Sequence, residues 1–231
     1  MTALQRLQID GVAAPLVFRR SARARRVSLR LDADGGAVIV VLPRRARLED
    51  GIGLARAHAG WIDAQLRALP PRVPFADGAV LPVLGRPRTV RHDPAAPRGV
   101  REDGDVLRVG GPAERVPARL LVWMKRTAGA AIEERIAVQA ERLGRRPVRI
   151  VLRDTRSRWG SCSAAGTLSF SWRLVLAPPV VLDYVVAHEM AHLAVRGHGP
   201  EFWRLAGDLA GDLAAGRAWL RRHGRELFRY G

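Results

Sequence analysis

The feature that most constrains this chain is an apolar run carrying ionisable side chains: Asp183-Tyr-Val-Val-Ala-His188-Glu189-Met-Ala-His192-Leu-Ala-Val195-Arg-Gly197-His198-Gly-Pro-Glu-Phe-Trp203. A helix that is apolar nearly all round belongs in a core. Two imidazoles and a carboxylate are costly there unless they are paired or bind a metal. His188 and His192 are four residues apart, so on a helix they share one face, about one turn from each other. Imidazoles so placed reach one Zn2+ at roughly 2.0–2.1 Å each. Glu189 points to the flank of that face. This is the general-base position of an H-E-x-x-H pattern, close enough to act on water at the metal without being a ligand.

A catalytic zinc takes three protein ligands and keeps one position open. His198 is the best candidate for the third. Gly197 before it is a natural helix stop, and Gly199-Pro200 favours a fresh helix start, so the turn between them can swing His198 back to the ion. An H-E-x-x-H match alone can arise by chance; the apolar frame, the glycine stop and the third histidine argue against that here. His58, His92 and His223 are scattered and read as surface or incidental residues.

Composition narrows the class. A chain of 231 residues, 48% of them hydrophobic, can build one large domain or two small ones. It has no run of eighteen apolar residues, the length a spanning helix needs. Its N-terminus lacks the basic-then-apolar layout of a secretory signal. Cys162 is the one cysteine, so no intrachain disulfide can form. These features together point to a cytoplasmic protein with no membrane partner. The net charge is +17, and all but Lys125 of the 39 basic residues are arginines. A surface this basic attracts nucleic acid and acidic partners, but the charge is spread evenly along the chain, which argues against a dedicated basic tail.

Taken in order, residues 4–10 and 15–20 read as short strands around Asp10-Gly11. Arg19 to Arg26 is a basic run, most simply a solvated edge. Val27–Leu31 and Ala37–Leu42 form a hairpin around a turn at Asp32–Gly36. Leu48–Leu69 is one amphipathic helix, with Trp61 joining its packing and Pro70 and Pro71 ending it. Residues 1–72 therefore make an N-terminal β/α subdomain, and 73–116 a loop-rich β connector with strands near Val80–Leu84 and Val106–Val109. Residues 117–231 form the domain that carries the histidines. There a long helix from Pro117 to Leu143 stops at Gly144, a strand covers Val148–Leu152, and an irregular polar loop covers Arg156–Ser163. A strand with alternating Leu168, Phe170, Trp172 and Leu174 runs to Val175. The histidine helix follows Pro178-Pro179, and further helices start after Pro200 and at Leu213. This order predicts an α+β fold, in which a strand beside the metal helix can hold an extended peptide.

Four blocks carry a family resemblance: Arg156-Ser-Arg158-Trp159-Gly160-Ser-Cys162, Leu174-Val-Leu-Ala-Pro178-Pro179, Asp183 through Leu193, and His198-Gly-Pro-Glu-Phe-Trp203. In this order they resemble the YgjP-like metallopeptidase family, which is related to the SprT-like proteases and to zincins generally. The resemblance implies a zincin-like metallopeptidase domain with Zn2+ held by His188, His192 and His198, and Glu189 as catalytic acid/base. His192 and His198 share the spacing of metzincins, but Val195 stands where those have glycine, which disfavours their turn.

The implied reaction is metal-assisted hydrolysis of a peptide bond in a peptide or protein substrate. Tyr184, Arg156 and Arg158 are candidate donors to the developing oxyanion. The Arg-Trp-Gly-Ser-Cys loop has an equally simple structural reading, with Trp159 and Cys162 as packing and Gly160 as a turn. Glu201 reads either as a partner of a zinc-bound histidine or as a first-turn acid favoured by its helix dipole. Two alternatives to a general peptidase stand: a nucleic-acid-associated, SprT-like protease acting on DNA-bound proteins, and a metal-binding protein without turnover. Glu189 argues against the last, since a closed structural site does not need it.

Overall fold

A computed structural model of the chain describes residues 3–32, 36–68 and 71–231. The chain divides into two compact units, Met1–Arg72 and Val73–Gly231. Among the described residues the fold is α+β, with six α-helices and three sheets. No described helix is long and apolar enough to cross a membrane.

In the first unit, strands β1 (Ala3–Leu7), β2 (Leu16–Arg20), β3 (Ser28–Leu31) and β4 (Val38–Leu42) form a sheet of order β1-β2-β4-β3. β3 and β4 pair antiparallel, Leu31 opposite Val38; the turn read between them falls on residues 33–35, outside the described residues. Leu16, Phe18, Val38, Val40 and Leu42 line the core face. The helix read over Leu48–Leu69 is two helices, α1 (Leu48–Ala57) and α2 (Ala59–Arg67), broken at His58. The His58 ring bonds the Leu54 carbonyl at 3.0 Å, a local side-chain bond of the kind that competes with a continuous helix. The expected end at Leu69 and Pro70 lies outside the described residues. Trp61 does not join the packing: it is 46% exposed, and Ile62 takes the inward position. Gly51 is the contact point of α1 with the sheet, since a Cβ there would meet Val40 Cγ1 at 2.7 Å.

The second unit begins with the stretch read as a loop-rich connector. It is a four-stranded sheet, β5 (Val80–Val83), β6 (Arg86–Asp93), β7 (Gly99–Asp103) and β8 (Val106–Gly110), in order β5-β6-β8-β7. Leu81, Val83, Val90, Leu107 and Val109 point into the same core as α3 (Val116–Leu143). The arginines and prolines between them hide the two-residue period, so most of β6 and all of β7 leave no apolar signature. Helix α3 ends at Gly144, whose φ of +66° is left-handed, as helix stops often are.

Strands β9 (Arg149–Arg153), β10 (Gly160–Cys162) and β11 (Thr167–Ser171) form the third sheet, in order β10-β11-β9. β10 lies inside the segment read as an irregular loop. Its three small residues carry no strand signal, and only pairing with β11, Gly160 opposite Phe170, defines it. The strand read on to Val175 stops at Ser171, and Trp172–Leu176 turns as a 3-10 helix. Trp172 and Leu174 remain buried, but so does Arg173 between them. Its guanidinium pairs with Asp154 at 2.8 Å, donates to the Tyr230 carbonyl at 2.7 Å and lies over the Trp172 ring. The alternation therefore continues without one solvent face, which is why it misread as a strand.

The central element is α4 (Pro179–Ala191), flanked by α3, α5 (Pro200–Ala210) and α6 (Leu213–His223). Val181, Leu182, Val185, Val186, Ala187, Met190 and Ala191 are all buried. This all-round burial is what the apolar run required.

Candidate metal centre

The three histidines come together at the end of α4. The helix closes at Ala191, with His192 as its C-cap still in right-handed helical geometry (φ −66°, ψ −15°). His192 thus keeps the one-turn spacing from His188. The stop expected at Gly197 comes five residues earlier, where the Leu193, Ala194 and Val195 amides turn back onto the Met190 and Ala191 carbonyls. Gly197, at φ +88°, instead bends the loop that returns His198 before α5 starts at Pro200.

Ring centroids of His188, His192 and His198 lie 5.0, 5.0 and 4.9 Å apart. One nitrogen of each falls within 4.8 Å of the others. His188 Nε2 and His198 Nε2 are 3.1 Å apart; two nitrogens at about 2.05 Å from a tetrahedral cation would be about 3.3 Å apart. His192 Nδ1 lies 3.2 Å from the Val195 carbonyl, and donation there leaves Nε2 as the lone-pair side. Burial, then the neighbouring charges of His192, His198 and Arg217, hold His188 down to about 4, so it is the neutral donor a metal needs. No fourth His, Cys, Asp or Glu joins the cluster among the described residues. Three imidazoles with no fourth protein ligand fit a divalent cation with an open position.

Phe202, which the sequence places simply on the helix after Pro200, organises the cluster. It is fully buried on α5, and its ring centroid lies 4.9, 4.5 and 4.8 Å from those of His188, His192 and His198. The aromatic pair after His198-Gly-Pro-Glu was visible in the sequence; its equal distance from all three rings was not.

Glu189 is 6% exposed, and its side chain lies against strand β10. Burial pushes its carboxyl up to about 7, against the Arg158 charge and a hydrogen bond from the Cys162 backbone N–H. Gly160 is the reason the carboxylate fits. A Cβ there would meet Glu189 Oε1 at 2.5 Å and Cγ at 2.6 Å. Gly160 is therefore a strand residue under close approach, not the turn read from the sequence. Gly160→Ala should keep the fold, because the three atoms nearest the new Cβ all belong to the Glu189 side chain, which must move from its Cγ outward, and none to the backbone. It should displace the carboxylate by roughly 1 Å, a misplacement that costs on the order of 100-fold in rate. Hydrolysis assays alongside metal content and a melting curve separate that outcome from simple unfolding.

The other predicted residues divide. Tyr184, one turn before His188, places its ring 6.0 Å from that imidazole. Burial raises its phenol, which Arg217 opposes and Glu189 reinforces, so its hydroxyl stays a donor. Arg158 is exposed beside Glu189 and acts on it by charge. Arg156 acts on Asp154, whose carboxylate is paired with Arg173. Glu201 sits in the first turn of α5 and makes no hydrogen bond to a histidine, which favours the dipole reading. Trp159 stacks on Phe228 at 5.2 Å, so the packing reading holds for it. A cleft of about 300 Å³ opens beside His188 and Glu189, with Tyr184, Trp159 and two α6 arginines on its walls.

Residues 25–223 match the family described as YgjP-like, metallopeptidase domain. Among solved structures, the chain is similar to the metallopeptidase zymogen of Pyrococcus abyssi abylysin, with 22% identity over 41% of this chain and 93% of that one, and a TM-score of 0.36. No curated protein matches the sequence at a significant level.

Proposed function

We propose that this chain, which belongs to the YgjP-like metallopeptidase family, is a zinc-dependent peptidase with His188, His192 and His198 as metal ligands and Glu189 as general base. The observation that carries this reading is the convergence of three imidazoles next to a buried carboxylate held near neutrality. Zinc bound there supplies Lewis acidity, polarising the scissile carbonyl and lowering the pKa of water toward about 7.

The protein's own residues do the rest. Glu189 takes a proton from the attacking water, the new C–O bond forms, and the C–N bond breaks as the proton passes to the leaving amine. A base with its pKa near the working pH suits both halves of that transfer. Tyr184 and Arg158 are the donors available to the oxyanion. β10 is an edge strand beside α4, and its backbone suits an extended substrate. The test is hydrolysis of an unfolded protein such as casein, lost on chelation and restored by stoichiometric zinc. Hydrolysis that persists under chelator excludes the reading.

A second reading, a protease acting on nucleic-acid-bound proteins, draws support from a groove of about 830 Å³ lined by Arg98, Arg101, Arg115, Arg119 and Arg126, with Glu114 the one acid among its lining residues. If about five phosphates are neutralised there, log K for duplex DNA should fall against log salt with a slope of about −4 to −5. Charge reversal at Arg115 and Arg119 should flatten that slope. Affinity indifferent to both changes leaves the general peptidase.

A further inference from the structure

The cleft beside Glu189 has a chemistry that zinc and a general base do not explain. Trp159, Val185 and Leu220 are its apolar lining, and Tyr184 with Arg217 and Arg221 of α6 is its polar lining beside His188 and Glu189. The arginines are four residues apart and share one face of the helix. Helix α6 reaches this position because of Gly216. A Cβ there would meet Tyr184 Cβ at 2.4 Å and the Val180 carbonyl oxygen at 2.7 Å, so any larger residue would push α6 away from α4. Arg217 is further held by its guanidinium over the Trp203 ring, 5.4 Å from the centroid.

Neither arginine has a carboxylate within 4.0 Å among the described residues. Three acids of the surrounding elements are engaged elsewhere. Asp183 pairs with Arg135 at 2.6 Å, Asp212 caps the start of α6, and Glu226 meets His223. Glu189, the remaining acid of the cleft, accepts from Cys162 on β10. At about 300 Å³ the space is at the small end of ligand pockets, which run from roughly 300 to 1,000 Å³. It suits a side chain or chain end, not a folded domain.

We propose that this pocket selects a substrate carboxylate, borne by an acidic side chain or by a free C-terminus adjoining the scissile bond, through Arg217 and Arg221. The proposal rests on the peptidase reading of Glu189 and the three histidines. Arginine forks match carboxylates with two parallel hydrogen bonds, and a neutral amide of the same shape cannot use the charge.

The experiment compares matched peptides carrying Glu, Gln or Lys at the position flanking the cut, each with a free or amidated C-terminus. For a side-chain carboxylate, kcat/KM should favour Glu over Gln on the order of 10-fold. For a chain end, the free acid should win over the amide by a similar factor, and either result supports the pocket. Arg217→Gln with Arg221→Gln should erase the preference, and Arg217→Glu with Arg221→Glu should turn it toward Lys. Both side chains are exposed, so circular dichroism should stay unchanged. Anisotropy of the same labelled peptides on Glu189→Gln protein reads the preference without hydrolysis. Equal affinity and equal kcat/KM for all charge states overturn the pocket. Undiminished hydrolysis by Glu189→Gln overturns the peptidase reading instead, and anisotropy still decides the pocket.

Discussion

Glu189→Gln is expected to lower kcat by about 10²–10⁴-fold, the usual contribution of a positioned general base. The amide keeps the shape of the carboxylate and can still accept from the Cys162 N–H, so zinc content and fold should be unchanged; what is lost is the ability to take a proton. A stability difference should accompany the loss. In the metal-free protein the Glu189 carboxyl is raised from 4.5 to about 7, so the fold favours its protonated form. The native state therefore binds more protons than the unfolded chain between those values, and stability falls as pH rises from about 4.5 through about 7. Gln removes that dependence. Under chelator, the variant should melt higher than wild type at pH 8, by an amount on the order of a few kcal/mol. The gap should close below pH 4.5. Equal activity would remove Glu189 from the chemistry, and equal melting at pH 8 would contradict its burial.

His198→Ala should weaken zinc binding by more than about 100-fold, since loss of even a partner behind a ligand costs 10- to 100-fold. This is the cleanest of the three ligand deletions. His198 is exposed and sits on a loop, whereas His188 is partly buried against Phe202, so its removal would also leave a hole. The readout is stabilisation by zinc. At about a thousand times its Kd, zinc should stabilise wild type by about 4 kcal/mol; a hundredfold weaker variant gains about 1.4 kcal/mol at the same concentration. Identical zinc-induced shifts in the two proteins would place the ion somewhere other than these imidazoles.

Both predictions start from residues that were legible before any coordinates. His188, Glu189 and His192 lie on one helix, where side-chain direction follows from local hydrogen bonding. The same regularity made α3 and its Gly144 stop readable. Legibility faded where small or charged residues form strands. Strands are expected at Val80–Leu84 and Val106–Val109, but β6 and β7 leave no signal because each carries a single valine among charged and polar residues, and β10 read as loop because Gly-Ser-Cys has no pattern of its own. Arg173 misled in the opposite sense: a buried charge, paired with Asp154 and two C-terminal carbonyls, made a turn look like a strand.

The sequence by itself determined the chemistry on offer: a buried helix with two imidazoles and a carboxylate at fixed angles, and a third imidazole a short loop away. Those relations span only a few bonds of chain, and helix geometry repeats wherever the apolar pattern does. Tertiary structure alone decided that Phe202 backs all three rings, that Gly160 makes room for Glu189, and that Gly216 lets Arg217 reach the cleft. Each joins positions tens of residues apart through van der Waals contact, and close packing between distant segments leaves no periodic trace in the chain.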